Sequence, residues 1–444
     1  ALYGANAFNG ILLMTSKSPF DHTGLSGQYK QGITSQEAAG DNTYRDLSIR
    51  FGHKFSDKLA IKGNFGYLLG TDWIADSQED KLGRGLTRED YDHDGINIYG
   101  DEVATDIKGV ANTLVQLGLA PAGIQNLIPS QVVSRTGYRE VSLTDHVAES
   151  KKADWGLYYR PFESNFEISY VGKWGTGQTV YQGTNRYGIE NFTMSQHKLE
   201  VKDDHFFVRA YVTEDNAGDS YDMNFTAINI NRTWKGDNQW FGEYVNGFAG
   251  ATLGGATESQ AHAVGRATAD TGRYLPGTPE FDAAFETVVN NPDLTTGAKF
   301  QDNSKVYHSD WNYSFADQIE FADIQLGGSF RQYSLNSSGT IYTDYDGSID
   351  YSETGIYTQV VKNFMDEDRM TITAAARYDK NEFFDGQITP RVSLSYTAGE
   401  YKNHNFRLGF QTGFRNPSTQ DLFIGLDVGR ARLIGSSPAS LPNY

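Results

Sequence analysis

Apolar and polar residues alternate with a period of two along most of this chain. Phe406, Leu408, Phe410, Thr412 and Phe414 are interleaved with Arg407, Gly409, Gln411, Gly413 and Arg415. Leu59, Ile61, Phe65, Tyr67 and Leu69 share one parity, with Lys62 and Asn64 on the other. Phe166, Ile168, Tyr170 and Trp174 repeat the pattern, as do Met370, Ile372, Ala374, Ala376 and Tyr378. Successive side chains of a strand point to opposite faces, so this pattern predicts strands that are apolar on one side only. Thirteen are expected, at 23–33, 44–52, 59–69, 151–160, 165–174, 189–201, 205–213, 305–316, 321–334, 351–363, 369–379, 387–398 and 404–414. Each is about the length of a tilted strand that crosses a bilayer.

The connections alternate in length. Short ones fall at 53–58, 161–164, 202–204, 317–320, 364–368 and 399–403. Between them lie 34–43, 70–150, 175–188, 214–304, 335–350 and 380–386. In an antiparallel meander this puts every long connection at one end, as in outer-membrane barrels. A propeller would repeat every ~40 residues, and no such repeat is present. Helical patterns are expected at 101–118 and at 279–290, the second opened by Thr278, Pro279 and Glu280.

Charge sharpens this division. The chain carries 38 basic and 56 acidic residues, net −18. Segment 70–150 holds 14 acidic against 6 basic residues and segment 214–304 holds 13 against 5, so each contributes −8. The strands are close to neutral. Their charged residues (Arg50, Lys62, Glu167, Lys173, Arg209, Arg331, Arg377, Arg391 and Arg407) fall mostly on the polar parity. A strongly acidic chain lacks the basic face that nucleic acid requires, so no nucleic-acid partner is expected. No cysteine is present, which excludes disulfides, Cys-based zinc and a thiol nucleophile. The nine histidines are scattered and form no HExxH pair.

Two features carry candidate chemistry. In the run from Asp90 to Asp101, Asp90, Asp92 and Asp94 occupy positions 1, 3 and 5 of a calcium loop, with Gly95 at 6 and Asp101 at 12, followed by Glu102. Convergent carboxylates repel unless a cation neutralises them, so calcium is a candidate ligand, against a solvated acidic turn. Trp234, Trp240, Phe241 and Tyr244 in the second long connection are candidates for stacking on a ring-bearing ligand, against self-packing within the connection.

The two ends of the chain carry a resemblance. The run Leu2-Tyr3-Gly4-Ala5-Asn6-Ala7-Phe8-Asn9-Gly10, continuing through Ile11-Leu12-Leu13-Met14 to Thr15-Ser16-Lys17, resembles the last segment of the plug domain in TonB-dependent outer-membrane transporters. Gly413-Phe414-Arg415-Asn416-Pro417 followed by Asp421-Leu422-Phe423 is similar to that family's strand exit, and Thr389-Pro390-Arg391 to one of its strand starts. Gln182–Tyr187 and Asn97–Asp101 resemble Bacteroidota-type members. The resemblance implies an all-β fold: a partial transmembrane antiparallel β-barrel, about 13 of about 22 strands, with long external loops. It implies a plug end at 1–18 and barrel wall at 19–444, with most of the plug and the TonB box upstream and further strands downstream. It implies active import across the cell outer membrane by a non-enzymatic receptor that needs no cofactor. The implied partners are the TonB–ExbB–ExbD complex, outer-membrane lipid and, in the SusC-like branch, a SusD-like surface lipoprotein. A passive porin-like barrel and a secreted soluble β-rich carbohydrate-binding protein or glycosidase are the alternative readings.

Overall fold

A computed structural model describes residues 12–428, 431–438 and 440–443. Its main body is an antiparallel meander of thirteen long strands. These are β1 Gly24–Gln36, β2 Gly40–Ser56, β3 Leu59–Thr71, β4 Val147–Tyr159, β5 Glu167–Gln182, β6 Arg186–Lys202 and β7 Phe206–Asn216. They continue as β8 Lys305–Ser314, β9 Asp323–Leu335, β10 Ile349–Phe364, β11 Met370–Asn381, β12 Gln387–Ala398 and β13 His404–Gln411. Each pairs with the next in chain order, and β1 and β13 are the two edges. All thirteen expected strands are present.

Register converts the alternation into two continuous surfaces. Ile388 lies opposite Tyr378, and Tyr378 opposite Ile356. Val392, Leu394 and Tyr396 lie opposite Phe410, Leu408 and Phe406. Side chains in directly opposed pairs are near neighbours, so each apolar residue extends a ladder across the sheet. Leu25, Ile33, Trp155, Tyr170, Trp311, Ile356, Ile388 and Leu408 on this face are all exposed. The opposite parity carries Lys62, Glu167, Arg209, Arg331 and Arg377. No helix among the described residues is long and apolar enough to cross a membrane.

Two connections expected to be long are tight hairpins. β1 and β2 pair up to Gln36 opposite Gly40, and β5 and β6 up to Gln182 opposite Arg186. Thr176, Thr179, Val180 and Tyr181 favour extended backbone, so the ladder continues past residue 174.

The connections between β3 and β4 and between β7 and β8 fold together into a module with its own core. It contains helices α1 Ile107–Gln116, α2 Met223–Trp234, α3 Asp237–Leu253, α4 Glu258–Ala269 and α5 Pro279–Val289. Side chains of Asp106, Asp222, Thr257 and Thr278 cap α1, α2, α4 and α5. Tyr99, Tyr138 and Leu143 of the first connection pack with Tyr221, Met223, Ile230 and Phe281 of the second. Ile107, Ala111, Ile128 and Val133 pack with Trp240, Tyr244 and Phe248. The sequence pattern indicates α1 and α5 but not α2–α4. The reason lies partly in glycine: a Cβ on Gly247 would sit 3.1 Å from the Gly265 Cα, and one on Gly265 would sit 3.0 Å from the Tyr244 carbonyl oxygen. These glycines let α3 and α4 approach closely while lowering helix propensity. Beyond β13 the chain turns into a short helix, α6 Thr419–Phe423, whose Leu422 and Phe423 are buried against Leu335, Ile341, Tyr342 and Tyr351.

Trp240→Ala removes a fully buried ring from this core and is expected to cost about 3–5 kcal/mol. Hydrogen exchange is the check: amides of α2–α4 lose protection while those of β11 and β12 keep it.

Candidate functional site

The polar face of β7–β11 encloses a cavity of about 510 Å³. Its arginines pair with carboxylates, Arg209 and Arg331 across adjacent strands and Arg377 within its own strand. Arg209 donates from Nε to Asp310 Oδ1 at 2.6 Å and from Nη2 to Oδ2 at 2.8 Å. This bidentate geometry is possible because Arg209 and Asp310 are register partners. Arg331 donates to the Tyr333 hydroxyl at 3.1 Å and lies 3.6 Å from Glu353. Arg377 donates to Asp379 at 2.7 Å and to Ser329 Oγ at 2.9 Å. The arginines of the cavity wall are thus each matched by a carboxylate, while Lys380 donates to the Phe384 carbonyl at 2.6 Å. Leu13 contributes to its lining. Lys62 on β3 donates to Ser16 Oγ at 2.7 Å and to the Lys17 carbonyl at 3.1 Å. Leu13, Ser16 and Lys17 thus touch the polar side of the sheet; residues 1–11 of the plug-like run are outside the described residues.

A second cavity, about 620 Å³, lies among the connections, lined among others by Glu102, Asn224, Arg232, Thr340, Tyr345 and Arg432. It draws together segments far apart in the chain.

The four aromatic candidates do not form a ligand platform. Trp240, Phe241 and Tyr244 are buried. Trp240 meets Phe241 edge-on at 5.0 Å and donates from Nε1 to Asp270 at 2.9 Å. The Tyr244 hydroxyl lies 2.8 Å from His262 Nδ1, and His262 stacks on Tyr91 at 4.1 Å. Trp234 is partly buried, with Arg135 and Lys235 over its ring. These side chains are the interior of the helical module, because their apolar area is satisfied by one another.

The acidic candidates separate. Asp90 accepts from the Thr87 amide at 2.6 Å, and Asp92 accepts from Arg84 Nη1 at 2.6 Å. Asp94 lies 2.9 Å from Lys81 Nζ. Asp101 Oδ2 accepts from the Gly95 amide at 2.9 Å, while its Oδ1 is buried with no hydrogen-bond partner. Glu102 accepts from Lys81 Nζ at 2.9 Å, Asn224 Nδ2 at 3.0 Å and the Gly100 amide at 2.6 Å. Ligand atoms of Asp94, Asp101 and Glu102 lie within 4.8 Å of one another, and Asp90 and Asp92 are not in that group. The register differs from a helix-loop-helix calcium site because residues 94–97 bond back to 77–81 instead of winding on. Glu102 and Lys81 are the members that the spacing alone does not pick out. Burial and the Glu102 charge push the Asp101 carboxyl up to about 8, against the Gly95 amide and Lys81.

A buried carboxylate ties the first connection to the wall. Glu140 accepts from Arg186 Nη2 at 2.6 Å, from Arg186 Nε at 3.0 Å and from the Tyr99 hydroxyl at 2.7 Å, and lies 3.1 Å from His146 Nε2. Burial alone raises its pKa, but the hydrogen bonds from His146, Arg186 and Tyr99 outweigh it and hold it down at about 2.

No protein-family model and no curated protein sequence matches this chain. Among solved structures, the siderophore receptor PirA from Pseudomonas aeruginosa aligns with a TM-score of 0.47 at 10% identity, over 94% of this chain and 50% of that one. The ferric enterobactin receptor PfeA in complex with BCV-L6 gives 0.47 at 11%, over 94% and 48%. The FrpB iron transporter from Neisseria meningitidis gives 0.40 at 9%, over 88% and 46%. The chain spans about half the length of the solved structures it matches.

Glu140→Gln removes the ion-pair partner of the half-buried Arg186 and is expected to cost about 1.5–3 kcal/mol, read as loss of hydrogen-exchange protection over 138–146. Because the folded pKa lies below the unfolded one, this contribution is present above about pH 4.5 and fades as pH falls toward about 2. Denaturant midpoints of the module measured across that window check the sign.

Proposed function

We propose that this chain is the plug-proximal part of an outer-membrane β-barrel importer of the TonB-dependent type. One observation carries the reading: a thirteen-strand meander that is apolar on one face, charged on the other, and has its large folded connections at one end. Exposed Phe, Leu, Ile and Trp side chains in a continuous ladder are costly in water and favourable in hydrocarbon. Paired charges on the other face suit an aqueous lumen.

Edges β1 and β13 cannot face lipid, because every unpaired backbone group there costs several kcal/mol. Closure therefore requires further strands. A barrel of about 22 strands is too wide to fill with its own side chains and needs a plug. The contacts of Ser16 and Lys17 with Lys62, and of Leu13 with the wall cavity, support the assignment of this stretch as the plug's last part. In this reading the loop module and the plug apex capture cargo, and the plug is rearranged through TonB, ExbB and ExbD, since the outer membrane has no nucleotide supply. The chain performs no bond chemistry. The Bacteroidota-type phrases add a SusD-like surface lipoprotein as a partner, to be sought by co-purification of the intact polypeptide from its own membranes.

Planar-bilayer conductance of the intact polypeptide separates this reading from a passive porin. A plugged importer is expected to insert and stay closed, and a stable open conductance contradicts it. Leu408→Arg places a charge on the apolar face and is expected to lower insertion stability by about 2–4 kcal/mol if residue 408 lies at mid-depth, measured as a denaturant midpoint in lipid vesicles.

A further inference from the structure

We propose that Asp94, Asp101 and Glu102 form a divalent-cation site of the calcium class that locks the first long connection onto helix α2. The inference is independent of the transport reading. It needs only the folded loop module.

The site is built by the fold. Strand-like contacts at Asp80 and Gly95 bring residue 94 back toward the short strand Ile98–Tyr99, and the Gly95 amide fixes Asp101. A Cβ on Gly95 would lie 2.8 Å from the Ile98 side chain and 2.9 Å from the His93 ring, so any larger residue there would have to displace them. Glu102 is held by the Gly100 amide and by Asn224 Nδ2 on the first turn of α2.

Two oxygens point to a missing partner. Asp101 Oδ1 is buried and accepts no hydrogen bond, and the side chain as a whole is only 4% exposed. Asn224, whose Nδ2 donates to Glu102, also has a buried Oδ1 without a partner. Native structures leave few such atoms, and an ion is one of the groups that satisfy them.

Asp94, Asp101 and Glu102 converge around a single lysine, Lys81, whose ammonium lies 2.9 Å from both Asp94 and Glu102. Arg84 is committed to Asp80 and Asp92. Arg88 reaches the Gly137 carbonyl at 3.4 Å. His93 holds the Gln78 carbonyl with Nε2, and its Nδ1 is 3.9 Å from Asp101. Lys81 has a flexible stem and is partly exposed, so its ammonium can move out to solvent when a cation arrives. Oxygens at about 2.3–2.6 Å from calcium can lie up to about 5 Å apart. The three carboxylates lie within 4.8 Å of one another, which that sphere accommodates, whereas magnesium demands near-ideal octahedral geometry and dehydrates reluctantly.

The experiment is calorimetric titration of calcium into the intact polypeptide after chelator treatment, with hydrogen exchange over 77–102 and 223–230 in parallel. Saturable binding is expected, together with slowed exchange in both segments. Asp101→Asn and Glu102→Gln each weaken binding by at least about tenfold, whereas Asp90→Asn leaves it unchanged. Lys81→Met removes the competing ammonium and binds calcium more tightly than the parent chain; it also serves if the carboxylate variants fail to fold. Magnesium binds more weakly than calcium. No calcium heat above the chelator control overturns the proposal. So does equal weakening by Asp90→Asn, binding unchanged or weakened in Lys81→Met, or magnesium binding as tightly as calcium.

Discussion

Register is the constraint on which the rest of this molecule depends. With a side-chain period of two, shifting β13 by one residue would move Leu408 and Phe410 to the charged face and Arg407 to the apolar one. The backbone ladder alone does not forbid such a slip, since its hydrogen bonds re-form in the new register. What forbids it is the pair of incompatible surroundings on the two sides. Cross-strand pairs such as Leu394 with Leu408 and Arg209 with Asp310 then fix the alignment from opposite faces.

The same alternation explains why the wall lacks a conventional core. Its largest buried side chains lie elsewhere, in the module formed by the connections, where Trp240, Tyr244, Tyr138 and Tyr221 are almost fully enclosed. The wall supplies the module with anchors. Arg186 at the start of β6 holds Glu140, and Tyr221 pairs against Gly188 and donates to the Leu143 carbonyl at 2.7 Å. Within the module, Arg135 bridges to Asp237 at 2.5 Å, joining the two connections. A rigid, acidic assembly is thereby fixed at one end of the sheet, with a cavity between its segments and an ion-paired surface below it.

The strands were legible because their signal is local and repeats every second residue, as in 404–411 and 370–378. Their outer limits were not: Thr176 to Tyr181 read as loop, yet pairing with β6 continues through them. Helices α1 and α5 announce themselves by a cap and a single apolar face. Helix α3 buries Trp240, Phe241, Gly242, Val245 and Phe248 on more than one side, and its glycines serve a partner helix 18 residues later, so neither periodicity nor propensity marks it. The acidic run was visible as chemistry but not as geometry. Which of its carboxylates converge is decided by contacts with residues 77–81 and with Asn224, over separations that local spacing does not encode.

The account's central claim is that hydrocarbon wets one face of the meander and water the other. Nitroxide labels placed one at a time along 404–411 of the intact polypeptide in lipid vesicles test this most directly. Accessibility to oxygen dissolved in the lipid should peak at 406, 408 and 410, and accessibility to a water-soluble relaxant should peak at 405, 407 and 409. Equal water accessibility at every position, with no period of two, would contradict it.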